Sequence, residues 1–284
     1  MKIPKYWAKT TQVARQPDGQ AYRLACWQWS DLSLAEAQQK ANARALELAQ
    51  KVQAGAALNR YGYDQRPLRE EITQGLTAGS GHEVGVVTRN KYGARVLNAT
   101  SAMFIDIDFK EAEASSSLSG QMGRLLGGRA PDPADPYLPR VSAWANQHPD
   151  LGLRVYRTFG GLRCLITNQL FDPSRSDSMD ILRALGSDPL YVRLCQAQAC
   201  FRARLTPKPW RCGLKVPPSR YPWENTGLEA RYREWERRYD QTSAAYAVCK
   251  FIKQFGPAET HPDIAPVLAL HDELTRSTEQ RQLA

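Results

Sequence analysis

Asp106 and Asp108 stand two residues apart in the apolar run SAMFIDIDF, residues 101–109. On a β-strand that spacing puts both carboxylates on one face, because strand side chains alternate. Ile105, Ile107 and Phe109 then share the opposite face and can enter a core, while Phe104 joins the aspartates. Two carboxylates this close raise each other's pKa unless a cation lies between them. Mg²⁺ or Mn²⁺ suits the pair, since hard ions take one or two carboxylates together with substrate phosphates. The alternative is a strand end whose aspartates turn into solvent.

A second group of chemically active residues lies in 189–223. This segment has no Asp or Glu, but it carries Arg193, Arg202, Arg204, Lys208, Arg211, Lys215 and Arg220. Tyr191, Phe201, Trp210, Tyr221 and Trp223 are interleaved with them. Guanidinium forks match phosphate oxygens and aromatic faces stack on bases, so the segment is a candidate nucleic-acid or nucleotide surface. The structural alternative is aromatic packing, with the arginines paired to distant acids. Pro207 and Pro209 make LTPKPWRCG a loop.

The third group is YRTFGGLRCLIT, two short strands joined through Phe159-Gly160-Gly161. Paired glycines allow a tight turn or a close backbone approach to a ligand. If this hairpin lies beside FIDIDF, Arg163 projects on the carboxylate face. There it either neutralises Asp106 and Asp108 or holds phosphates near them.

These groups must be positioned by a chain of 284 residues with net charge +9 and pI near 9.3, a balance that favours an anionic partner. The amino terminus lacks the apolar stretch of a signal peptide, and no window is long and apolar enough to span a bilayer. A cytoplasmic protein that does not engage membranes is expected, with its six cysteines reduced. Zinc is not expected: Cys195, Cys200 and Cys212 form no C-x-x-C pair and have no nearby histidine.

Residues 5–29 read as two strands around Gln16-Pro17-Asp18-Gly19. The capping box Ser33–Glu36 opens a helix with Leu34, Ala37, Ala41, Ala45, Leu48 and Val52 on one face. The tryptophans of this ββα unit read as packing residues, with stacking platforms as the alternative. Residues 84–97 read as a hairpin turning through Asn90-Lys91-Tyr92-Gly93, and residues 110–136 as a flexible insertion that either covers the carboxylates or is a plain surface loop. A helix follows near Val141–Gln147, residues 177–204 read as helical, and Gly213–Pro217 as extended. Tyr232, Trp235, Tyr239, Tyr246 and Cys249 mark one closing helix, and Ile264, Val267, Leu268, His271 and Leu274 another, with His271 a core or boundary residue rather than a catalyst. The fold expected is α+β. An N-terminal ββα unit and connector (1–80) precede a core with a ferredoxin- or RRM-like β-α-β-β-α-β unit (81–225), and a helical segment (226–284) follows.

The three groups, in this order, resemble the archaeo-eukaryotic primase superfamily, especially its prim-pol branch. FIDIDF is similar to that superfamily's hhhDhD strand, with Asp106 and Asp108 as its metal carboxylates. RTFGGLRCLI is similar to its T-x-G-G-x-H strand, with Thr158, Gly160 and Gly161 in place and Arg163 at the histidine position. GLKVPPSRYP resembles its G-Y-V-V-x-P-P-S segment through Pro217, Pro218 and Ser219. The chain also looks like an uncharacterised bacterial family bearing LTPKPWRCG. The primase resemblance implies a metal-dependent nucleotidyltransferase acting on DNA or RNA and nucleoside triphosphates. It departs from the pattern in two places: arginine cannot accept a proton, and no third acid lies between Asp188 and Glu224. Asp172, Asp177 and Asp180 are the nearest candidates for that acid. Two readings follow. In the first, Asp106, Asp108 and Arg163 form a catalytic centre, with Thr158, Gly160, Gly161, Arg202, Arg204, Lys208, Trp210, Arg211, Lys215 and Ser219 binding nucleotide or nucleic acid. In the second, the protein is a catalytically inactive binding module in which the aspartates are structural.

Overall fold

A computed structural model describes residues 1–56, 67–109 and 136–284. The insertion expected at 110–136, and any lid it forms, lies outside the described residues except for its last position.

The N-terminal unit is β1 (Tyr6–Arg15), β2 (Ala21–Ser30) and α1 (Leu34–Gln53). The strands pair antiparallel, closed by a turn in which Gly19 takes φ +86° and donates to the Gln16 carbonyl at 2.9 Å. Ser33 caps α1 by accepting from the Glu36 amide at 3.1 Å. Ala37, Ala41, Ala45, Ala49 and Val52 form the buried face of α1, and their small size lets the helix lie close on the hairpin. Leu34, expected on that face, is exposed.

The carboxylates sit on β6 (Phe104–Asp108), an edge strand of an antiparallel sheet ordered β11-β7-β8-β6. Its other strands are β7 (Leu153–Thr158), β8 (Gly161–Ile166) and β11 (Cys249–Phe255). β8 lies between β6 and β7, the split arrangement expected when a helix joins β6 to β7; α2 (Leu138–Gln147) occupies that place in the chain. Ile105 and Ile107 enter the main core. Phe104, on the carboxylate face, is also fully buried, so that face opens to solvent only from Asp106 onward.

The second sheet, ordered β3-β4-β5-β9, comprises β3 (Glu71–Thr77), β4 (Glu83–Arg89), β5 (Arg95–Ala99) and β9 (Phe201–Arg204). Two helices, α3 (Ser176–Ala184) and α4 (Pro189–Gln198), lead into β9. Here the structure corrects the expectation of a helix through 204 and a strand at Gly213–Pro217. Ala199 adopts a left-handed conformation at φ 50° and ends α4, after which Phe201 and Ala203 alternate inward. Gly213–Pro217 is not a strand, and Pro217 and the Pro218 after it lack ladder donors. The fourth core strand therefore pairs with β5, not with β6.

The closing segment is not helical throughout, which is a second correction. A helix, α5 (Thr226–Ser243), carries Tyr232, Trp235 and Tyr239, but Tyr246 and Cys249 belong to strands. One of these, β10 (Tyr246–Ala247), runs parallel to β12 (Gln282–Leu283), and β11 completes the first sheet beside β7. Between them α6 (Ala265–Thr275) buries His271 completely. No helix among the described residues is long and apolar enough to cross a membrane.

Gly161 fixes how closely β6 and β8 approach. It pairs with Asp108, and a Cβ there would lie 2.0 Å from the Ile107 carbonyl oxygen. Gly161→Ala is expected to force the strands apart at a cost of about 1–3 kcal/mol. The check is a denaturant midpoint measured against wild type at unchanged slope.

Candidate functional site

The register between β6 and β8 puts Arg163 directly opposite Asp106. Arg163 is only 1% exposed. Its Nε donates to Asp106 Oδ1 at 3.1 Å and its Nη1 to the Arg204 carbonyl at 2.9 Å. Nη1 also lies 3.5 Å from Nε2 of the buried His271, whose Nδ1 is 3.0 Å from Asp272 Oδ1. Burial, with Arg163 adding to it, holds the His271 pKa below the ordinary value. The neutral ring keeps its proton on Nδ1, toward Asp272, and turns the Nε2 lone pair to Arg163. Asp272 in turn accepts from Arg154 at 2.8 Å. Arg163 is thus fixed from three sides and its charge is directed at Asp106, with no contact to Asp108.

Asp108 is two residues on, at the exposed end of β6. Loss of water at the wall raises its pKa, and the charges of Asp106 and Asp188 raise it further; Lys208 and Arg204 oppose the shift. Asp188 is the last acid before the basic segment and caps α4, accepting from the Leu190 and Tyr191 amides at 3.3 and 3.2 Å. Its own amide donates to the Asp106 carbonyl at 3.1 Å, so the loop before α4 is tied to the carboxylate strand. Asp172, Asp177 and Asp180 do not line this site. They bind Ser174, Arg175 and Arg183 instead.

Facing the carboxylates is a cationic wall of Arg204, Lys208 and Arg211. Among the described residues none of the three forms an ion pair. Burial lowers all three pKa values; Arg204 adds to the shift of Lys208 and Arg211, and Arg163 to that of Arg204. Arg211 Nη1 is buried without a hydrogen-bond partner, and the Arg211 guanidinium lies 4.1 Å from the centre of the Phe159 ring. An anion placed here would relieve both the repulsion and the unmet donor.

Asp106, Asp108, Arg163 and the three cations of the wall line one cleft of about 1170 Å³, above the usual range for a drug-sized ligand. Its lining holds ten arginines and lysines against three carboxylates, Glu70, Asp106 and Asp108. Of the residues singled out from sequence, the cleft gathers Asp106, Asp108, Thr158, Gly160, Arg163, Arg202, Arg204, Lys208, Arg211 and Ser219. Arg202 is paired there with Glu70 at 2.8 Å, and Ser219 donates to the Leu228 carbonyl at 2.8 Å. Gly161 lies behind the wall. Trp210 stands outside it, edge-on to Tyr92, and so does Lys215, on an exposed stretch.

Sequence reasoning missed Glu70, the network through His271, and Trp27 and Trp29, which line the cleft although they read as packing residues. The Trp-x-Trp spacing was a usable signal: it sets both indoles opposite the Leu24 and Cys26 face. His271 had none, lying 108 residues from Arg163.

Among the described residues no group of three or more His, Cys, Asp or Glu is placed to hold a metal ion. Cys195, Cys200 and Cys212 are buried, and burial pushes the Cys195 thiol up to about 12 and Cys200 to about 11, which disfavours the thiolate. No family model, no curated protein and no solved structure matches the chain.

Proposed function

We propose that this cleft binds nucleic acid or a nucleoside triphosphate around a divergent primase-like core, with Asp106 and Asp108 as the carboxylates for Mg²⁺ or Mn²⁺. The observation that carries the reading is that two adjacent carboxylates and three cations without acid partners face each other across one cleft. The cations supply phosphate contacts, and the split β6-β8-β7 order supports the primase relation. The donor set fits one hard ion: the charges of Asp106 and Asp188 beside Asp108 favour a cation, and two carboxylates leave its remaining positions to phosphate and water. When bound, that ion neutralises phosphate charge and supports nucleotidyl transfer. The chain's own residues divide the remaining work. Arg163 holds Asp106 in place, while Arg204, Lys208 and Arg211 grip phosphates.

The Asp106–Arg163 ion pair favours a second reading, a binding module without catalysis. Metal-dependent incorporation of a labelled nucleotide into an oligonucleotide separates the two. Binding itself is tested by anisotropy of a labelled oligonucleotide across a salt series. Changing both Lys208 and Arg211 to alanine should weaken binding and flatten the slope of log K against log salt by about 1.4–1.8, as expected for two lost phosphate contacts. A folded double variant with wild-type affinity and slope removes this wall from the binding surface.

A further inference from the structure

The β1-β2 hairpin has two dissimilar faces. On one, Ala8, Ala14, Leu24 and Cys26 are buried, with Ala14 and Leu24 packed against Ala49 and Val52 of α1 and Ala8 against Ala37 and Ala41. On the other, alternation sets Trp27 and Trp29 beside their cross-strand partners Lys9 and Trp7. Trp7 and Trp29 meet with ring centres 5.4 Å apart, and the Arg69 guanidinium lies 4.4 Å from the centre of Trp27. All three indoles and Arg69 line the same cleft as the carboxylates and the cationic wall. Trp7 is buried, whereas Trp27 and Trp29 are half-buried, and the Lys9 ammonium also lies 5.8 Å from the centre of Trp27.

We propose that Trp27 and Trp29 are a stacking platform for the unpaired bases of a single-stranded nucleic acid, with Arg69 as a planar cation within the stack. The proposal rests on the cleft reading above and narrows it to one ligand class. Half-buried indoles among cations suit a ligand that is flat and apolar in one part and anionic in another. A duplex hides its base faces, and a triphosphate alone would leave most of a cleft of about 1170 Å³ unfilled. An apolar partner would have to strip water from partly exposed cations of the lining such as Lys208 and Arg211.

The test compares three 5′-labelled probes by anisotropy at one salt concentration: a 20-mer of dT, an abasic oligomer of the same length and charge, and a duplex. Wild type should bind the dT oligomer at least about tenfold more tightly than the abasic one. Trp27→Ala should lose about tenfold on the dT oligomer and nothing on the abasic one, with an unchanged salt slope. Trp27→Phe keeps a ring and should retain most of the affinity, so the comparison survives even if the alanine variant disturbs the hairpin. Wild type binding the dT and abasic oligomers equally, or preferring the duplex, overturns the platform and leaves the anion-binding cleft standing. Wild type binding none of the probes overturns the platform together with the nucleic-acid reading of the cleft.

Discussion

Asp106→Asn is expected to lower the free energy of unfolding by about 2–3 kcal/mol, although it changes only one charged atom group at a cleft wall. The reason lies behind the aspartate. Arg163 is 1% exposed, and among the described residues Asp106 is the one carboxylate within ion-pair distance of it. The amide keeps the volume but removes the countercharge. A buried cation left uncompensated costs roughly 3–5 kcal/mol. The lower figure is expected because the Asp106 side chain is 36% exposed and water screens the pair. His271 cannot compensate: its pKa is held down and its lone pair already faces Arg163. From sequence the two aspartates look equivalent. The structure separates them, since Arg163 touches only the first. Chemical denaturation of the single variant decides the matter, and a stability equal to wild type would show that Arg163 does not depend on Asp106.

The part of the site that was legible came from short-range rules. Alternation in FIDIDF put both aspartates on one face, and the glycine turn joined β7 to β8. They put Arg163 on the carboxylate face provided the hairpin lay beside FIDIDF; the pairing of β8 with β6 meets that condition and its register sets Arg163 opposite Asp106. What was not legible depended on distant pairing. Phe201–Arg204 continues the helical spacing of Leu190 and Leu194, and only pairing with Val96–Ala99, about a hundred residues earlier, makes it a strand. Tyr246 and Cys249 continue the aromatic stripe of α5 by coincidence of spacing. Their strand identity comes from β12 and β7. Trp27 and Trp29 were assigned to packing because half-buried indoles and core indoles look alike in sequence. The difference is the presence of a cleft, which appears only when residues 67–70, 202–211 and 219–221 come to face the hairpin.

Asp108→Asn should do the opposite of the Asp106 change: it should raise the melting temperature of the ligand-free protein and abolish its response to Mg²⁺ with a non-hydrolysable triphosphate. Desolvation and the charges of Asp106 and Asp188 raise the Asp108 pKa in the fold. A raised carboxyl binds more protons folded than unfolded, so its contribution to stability falls as pH rises. The penalty is absent below the unfolded value near pH 3.9, grows above it, and is complete once the folded pKa has been passed. The advantage of Asp108→Asn over wild type should therefore be small in acid and level off once the pH has passed the raised Asp108 pKa. A bound cation removes the same penalty in wild type. Ligand at a hundred times its Kd adds about 2.7 kcal/mol, which is a shift of several degrees for a chain this long. Mg²⁺ and triphosphate together should give that shift in wild type, neither alone should, and the variant should melt at its own higher temperature whatever is added. Thermal melts across pH, with each ligand separately and with both, read all of this at once. A variant that responds to the two ligands as wild type does would take Asp108 out of the metal site.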